Sequence, residues 1–223
     1  MIRDIDVSVV VQGPVIDKVT GRCLHRIKEL LPRSEVIFST CSRKEEVVSL
    51  PCDVLVLNED PGATLREWHR GSVYNNLNRQ IISTVAGINK VSRPYCLKLR
   101  SDLFIDNLKF IEYFENLSNE NKSDRCYKVF NKKILASLLF TKIAVVKHNS
   151  LLPIPFHLSD WWFFGLSSDV CAYLGNTSLV REPDFTNHFN HYVELNPFGT
   201  YERFTSEQYI FISFFKKNIQ KLI

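Results

Sequence analysis

The chain has 223 residues, 45% hydrophobic and 23% charged, which suits one globular domain with a sizeable core. Its 28 basic and 24 acidic side chains leave a net charge of +4, too mild to imply nucleic acid and compatible with an anionic ligand or an anionic membrane surface. Six cysteines at irregular spacing form no CxxC pair, which excludes a zinc ribbon or a thioredoxin-type motif and fits reduced thiols in the cytoplasm.

The charged start, Met1-Ile2-Arg3-Asp4-Ile5-Asp6, does not read as a secretory signal, and no apolar run reaches the ~18 residues of a bilayer span. A soluble protein, at most clinging to a membrane, is expected. Residues 7–11 are a β-branched run stopped by Gln12-Gly13-Pro14. A helical pattern follows, with Cys23, Leu24, Ile27, Leu30 and Leu31 on one face and Pro32 as terminator. Residues 35–40 and 53–57 read as the second and third strands, the latter ending on Asn58-Glu59-Asp60. A strong helix is spaced by Leu77, Ile81, Val85 and Ile88, and a fourth strand over 95–99 ends on Arg100-Ser101-Asp102. Asp106 is placed to cap a helix with an inner face of Phe110, Ile111, Phe114 and Leu117.

Strands alternating with helices over 118 residues predict an α/β fold, a mostly parallel sheet covered by helices on both faces. The polar stretch 118–124 marks the clearest internal boundary. Beyond it, residues 127–130 and 134–141 read as strands. Asp160 precedes the aromatic run Trp161-Trp162-Phe163-Phe164, and the C-terminal segment reads as a helix with Phe211, Phe214, Phe215, Ile219 and Leu222 on one face.

Common sheet chemistries are excluded by motif. There is no GxGxxG after the first strand, no GxxxxGK[ST], no GxSxG and no HExxH. What remains is a set of polar clusters at strand ends, which converge on one rim of a parallel sheet, where open α/β folds bind ligands. An arginine beside a carboxylate suits a diphosphate. Arg100 offers a bidentate fork to phosphate oxygens, and Asp102 is placed to hold Mg2+ or Mn2+. Neutralising a departing diphosphate is what transfer from a nucleotide-sugar requires. The competing reading is an ordinary surface ion pair between the two side chains.

VVVQGPV at 9–15, STCS at 39–42, NEDPG at 58–62, NLNRQIISTVAGI at 76–88, LKLRSD at 97–102 and HLSDWWFFG at 157–165 occur in this order. Together they resemble the WavE family of lipopolysaccharide-synthesis proteins, a glycosyltransferase-like family with a GT-A-like (Rossmann-like) nucleotide-binding sheet. The resemblance covers roughly residues 7–215. It implies a single domain over 1–223, with a nucleotide-binding half over 1–118 and an acceptor-side half over 119–223. It also implies a nucleotide-sugar donor, a glycan or lipid-linked acceptor, and a cytoplasmic location; any contact with the inner membrane would be peripheral. Arg100-Ser101-Asp102 would stand where GT-A enzymes carry an Asp-x-Asp metal motif, with Arg100 replacing the first carboxylate. Gln12, Gly13, Pro14 and Asp60 would lie near base and ribose, and Asn78 and Arg79 near the phosphates.

Asp160 is the candidate general base, and Trp161 and Trp162 are candidates for stacking on an acceptor sugar; the competing reading makes the rings core and Asp160 a turn cap. Glu207 is a second catalytic candidate, inside a Thr205-to-Gln208 capping box that accounts for those two residues without chemistry. His188 and His191, near Asp184, read as a loop before a metal pair. Lys216, Lys217 and Lys221 read as the solvated face of a packed helix before a membrane contact. Two rival functions stay open: a sugar nucleotidyltransferase, whose Gly- and Arg-rich first loop is missing here, and a non-catalytic nucleotide- or carbohydrate-binding scaffold.

Overall fold

The computed structural model describes residues 1–68, 71–118, 129–147, 150–181 and 206–219. Its centre is a six-stranded mixed sheet of β1 (Val7–Gln12), β2 (Glu35–Thr40), β3 (Val54–Leu57), β6 (Tyr95–Arg100), β7 (Leu135–Ala136) and β10 (Trp162–Leu166). The spatial order is β3-β2-β1-β6-β10-β7. The first four are mutually parallel, and β10 runs antiparallel to both β6 and β7. Two hairpins stand apart from it: β4 (Thr64–Trp68) with β5 (Gly71–Asn75), and β8 (Lys142–Lys147) with β9 (Ser150–His157).

Strand β1 is buried along its whole length, as expected of a parallel strand covered on both faces. Its period-2 alternation sends Val7, Val9 and Val11 to one side, where they meet Cys23, Leu24 and Ile27 of α1 (Val19–Leu30) and Phe114 of α4 (Lys109–Ser118). Val10 goes to the other side, with Leu77, Ile81 and Ile88 of α3 (Leu77–Ile88), Val170 and Tyr173 of α5 (Ser167–Leu174), and Phe214 of α6 (Ser206–Ile219). A short α2 (Lys44–Val47) adds Val47 to the first side. The fold is therefore α/β and Rossmann-like, with helices on both faces. Gly87 lets α3 sit this close to the sheet: a Cβ there would come within 2.6 Å of Val10 Cγ1 and 3.0 Å of Ser39 Cβ.

Several expectations need correction. Neither hairpin was legible from the sequence. Of residues 134–141 only Leu135–Ala136 is strand, and residues 138–141 turn instead. Residues 129 and 130 are not in a strand, and 127 and 128 lie outside the described residues. Helix α4 is entered through Asn107, whose Oδ1 accepts the Lys109 amide at 3.1 Å, while Asp106 contributes its carbonyl to Arg26 at 2.9 Å. Thr205, Leu222 and residues 119–124 fall outside the described residues.

Candidate active-site cleft

Strand order places β2 on one side of β1 and β6 on the other, so the chain's direction of travel across the sheet reverses between β1 and β6. The loops that leave their carboxyl ends diverge there and leave a crevice. The two segments at this point are Gln12-Gly13-Pro14 and Arg100-Ser101-Asp102. They are tied together: Ser101 N donates to Gln12 O at 2.9 Å and Ser101 Oγ to Pro14 O at 2.8 Å, while Gly13 N donates to Ser39 O at 3.2 Å. Gly13 has φ +139°, and a Cβ there would lie 2.5 Å from Ser101 Oγ. Glycine is required twice over, by backbone conformation and by close approach.

The crevice opens into a cleft of about 550 Å³ lined by Gln12, Gly13, Pro14, Asp60, Arg79, Arg100, Asp102 and Asp160, all singled out by sequence, and also by Asn76, Gln80, Ser83 and Ser101. Its walls carry two arginine–carboxylate forks. Arg79 donates from Nε and Nη2 to the two oxygens of Asp60, both at 2.7 Å, and from Nη1 to Asn76 Oδ1 at 2.8 Å. Arg100 donates from Nε and Nη2 to the oxygens of Asp102 at 3.0 and 2.6 Å. The Arg79 hydrogen bonds hold Asp60 below the ordinary carboxylate range. Burial works against the Arg100 charge, but the Asp102 hydrogen bond and the nearby carboxylates outweigh it and keep the guanidinium firmly protonated. Its Cζ also lies 5.7 Å from the Trp161 ring centre.

Asp160 reaches the same rim from the opposite direction. Because β10 is antiparallel to β6, its first residues lie beside the last residues of β6, and Arg100 N donates to Trp161 O at 3.1 Å. Asp160 is only 9% exposed, and one carboxylate oxygen accepts from Gln80 Nε2. Beneath it lies Lys98, 1% exposed, whose Nζ donates to the Asp160 carbonyl at 2.5 Å and sits 6.0 Å from the Phe163 ring centre. Burial pushes the Lys98 ammonium down to about 8, against the pull of the Asp160 carboxylate.

That depression has a sign. Below pH 8 both folded and unfolded chains hold the Lys98 proton and the burial cost is fully present. Between about 8 and the ordinary lysine value of 10.5 the unfolded chain holds more protons, so this residue's contribution to stability rises with pH. Compared with Lys98→Met, the wild type is expected to gain up to ~3 kcal/mol across that window. Paired chemical denaturation series at pH 7 and 10 measure it, and the pairing cancels the cysteine titrations common to both proteins. Parallel curves would contradict it.

Other sequence candidates lie elsewhere. Asn78 clamps the chain at Val180, accepting its N–H at 2.8 Å and donating to its carbonyl at 3.1 Å, outside the cleft. Glu207 does not line the cleft; its Oε2 is 3.7 Å from Nε2 of the buried His157. Trp161 and Trp162 point apart. Trp161 packs on Phe140, ring centres 4.7 Å apart, at the edge of the cleft, whereas Trp162 packs on Phe110 at 5.7 Å against the core. Phe214 is buried, and Phe211 and Phe215 are half-buried, so the C-terminal aromatic face is committed to packing. Asp184, His188, His191 and Lys221 lie outside the described residues.

The expected metal ligand, Asp102, has both oxygens on Arg100. Among the described residues no group of three His, Cys, Asp or Glu side chains converges to hold an ion. As arranged, Asp102 has no oxygen free of Arg100, so a Mg2+ or Mn2+ ion held through this carboxylate, waters and a ligand's phosphates would require that fork to open.

Residues 7–222 match the family model described as WavE lipopolysaccharide synthesis. The chain belongs to the WavE family. Its role is accordingly in lipopolysaccharide synthesis. A comparison with curated proteins returns no match. Among the described residues no helix of this WavE protein is long and apolar enough to cross a membrane.

Asn76, Gln80 and Ser83 of the WavE cleft, and Lys98 beneath it, escaped the sequence reading although signals for them exist. Asn76, Arg79, Gln80 and Ser83 recur at i, i+3, i+4 and i+7, a polar stripe on α3 that faces the cleft as one set. Gln80, which holds Asp160, belongs to it. Lys98 shares a strand face with Arg100 at period 2, and a lysine between apolar neighbours in a central strand is itself a signal.

Proposed function

We propose that this WavE protein is a GT-A-like glycosyltransferase that moves a sugar from a nucleotide-activated donor to a glycan or lipid-linked acceptor during lipopolysaccharide synthesis. One observation carries the reading: two arginine forks and a buried aspartate meet in a single cleft, of ligand-binding size, at the carboxyl rim of a Rossmann-like sheet. The donor's nucleoside diphosphate occupies the β1–β6 crevice, with Arg79 and Arg100 toward the phosphates and Asp60 toward the ribose. The carboxylates that hold the forks in the free protein keep both guanidiniums oriented before the ligand arrives.

In the reaction the acceptor oxygen bonds to the anomeric carbon while the bond from that carbon to the diphosphate oxygen breaks. The acceptor's proton passes to a carboxylate oxygen of Asp160, and the bond's electrons leave with the diphosphate, beside the guanidiniums. Trp161, at the edge of the cleft, stacks on the acceptor sugar. Release of nucleoside diphosphate from a panel of nucleotide-sugars tests the reading: one donor is consumed, faster when a lipopolysaccharide-derived acceptor is present. The scaffold reading is favoured by one fact, that each cleft arginine is already balanced by its own carboxylate, and it predicts that every donor stays intact.

A further inference from the structure

After β7 the chain makes a turn that is firmly built and chemically out of place. Thr141 N donates to Leu138 O at 3.1 Å, Leu139 N to Ser137 Oγ at 3.1 Å, and Thr141 Oγ1 to Ser137 O at 2.7 Å while accepting Ser159 N at 2.9 Å. Such turns ordinarily use Gly, Asn, Asp or Ser. This one holds Leu138, Leu139 and Phe140 in solvent at 87%, 63% and 59% exposure, and Ile143, where the β8–β9 register slips, at 84%. Phe140 adopts φ +64°, a left-handed conformation that is uncommon for a bulky side chain. Large apolar side chains gathered on one pinned turn mark an interaction surface.

Charge identifies the partner. Residues 129–159 contain four lysines and no Asp or Glu, although the whole chain carries 24 acids in 223 residues. Lys133 and Lys142 are exposed on either side of the turn. A symmetric contact with a second copy would bring like charges together, whereas an anionic lipid surface accepts both the apolar tip and its basic flanks.

We propose that this turn is a membrane-docking surface, with Leu138, Leu139, Phe140 and Ile143 entering the interface of an anionic phospholipid bilayer and the flanking lysines meeting its headgroups. The surface adjoins the cleft, since Phe140 packs on Trp161 and Trp161 on Arg100. Docking therefore brings the cleft to the lipid surface, where a lipid-linked acceptor would present its sugar. That last step rests on the glycosyl-transfer reading; the docking itself does not.

Flotation of the full chain with vesicles tests it without any assay of turnover. The wild type is expected to float with phosphatidylethanolamine–phosphatidylglycerol vesicles and not with phosphatidylcholine vesicles, less so at high salt. Leu138→Ser/Leu139→Ser/Ile143→Ser should reduce bound protein about tenfold or more, and Lys133→Glu/Lys142→Glu should reduce it with the apolar tip intact. Four results would overturn the proposal. The wild type fails to float, or both variants float like it. Sedimentation shows a wild-type dimer that the triple variant converts to monomer, which makes the turn a self-interface. The triple variant melts well below the wild type while the charge variant floats normally, which makes the turn a packing surface for this chain's own residues 182–205.

Discussion

Asp160→Asn should cut turnover at least about a hundredfold while nucleotide affinity stays close to that of the wild type, because a positioned carboxylate base contributes about 10²–10⁴-fold to a proton transfer. The substitution keeps the surroundings satisfied. Asparagine still offers an oxygen to Gln80 Nε2, and the main-chain carbonyl still accepts from Lys98 Nζ. What it removes is the basic oxygen and the negative charge beside a buried ammonium. Losing that charge leaves Lys98 less well compensated, so a fall in melting temperature is expected at pH 7 and a smaller one above pH 8, where burial already favours neutral Lys98. Steady-state kinetics with separate nucleotide titration distinguish the two effects. Normal turnover by a folded Asp160→Asn protein would remove Asp160 from the chemistry.

Arg100→Ala should weaken nucleoside diphosphate binding about ten- to hundredfold, the equivalent of one charge-assisted phosphate contact at roughly 1.5–3 kcal/mol. The fold should tolerate it. The Arg100–Asp102 side chains are 37% and 31% exposed, and a half-exposed ion pair contributes little to stability; once Arg100 is gone, water reaches the Asp102 carboxylate. Trp161 loses its cationic neighbour but keeps Phe140. Calorimetric affinity alongside a thermal melt measures both quantities. An unchanged affinity would return the pair to a structural role on the cleft wall.

Apart from α2 and the β4–β5 hairpin, the first half of the fold was legible because its signals are local. The run at residues 7–11 is closed off by Gln12-Gly13-Pro14, and the helices that follow bury residues at helical spacing, so element type and order follow from pattern alone. The second half, its C-terminal helix apart, was less so, because an apolar run does not reveal which side faces water. Residues 134–141 read as strand, but a side-chain-pinned turn bends the chain after Ala136 and throws Leu138 to Phe140 outward. The rim of the sheet was legible to the extent that strand ends in a parallel array must converge. The individual side chains followed only where geometry was counted. Arg79 enters the cleft and Asn78 does not, because neighbours on a helix point about 100° apart. Trp161 and Trp162 diverge because consecutive residues entering a strand take opposite faces. The reach of Lys98 to Asp160 spans 62 residues, a contact that no local pattern encodes.

The most direct test of the account is calorimetric titration of the wild-type protein and of Arg79→Ala/Arg100→Ala with a panel of nucleoside diphosphates. One nucleotide should bind the wild type with a single site and bind the double variant at least about a hundredfold more weakly, each lost guanidinium contributing about tenfold or more. Absence of binding by any nucleotide, or equal binding by the two proteins, would contradict a diphosphate site in the cleft between β1 and β6.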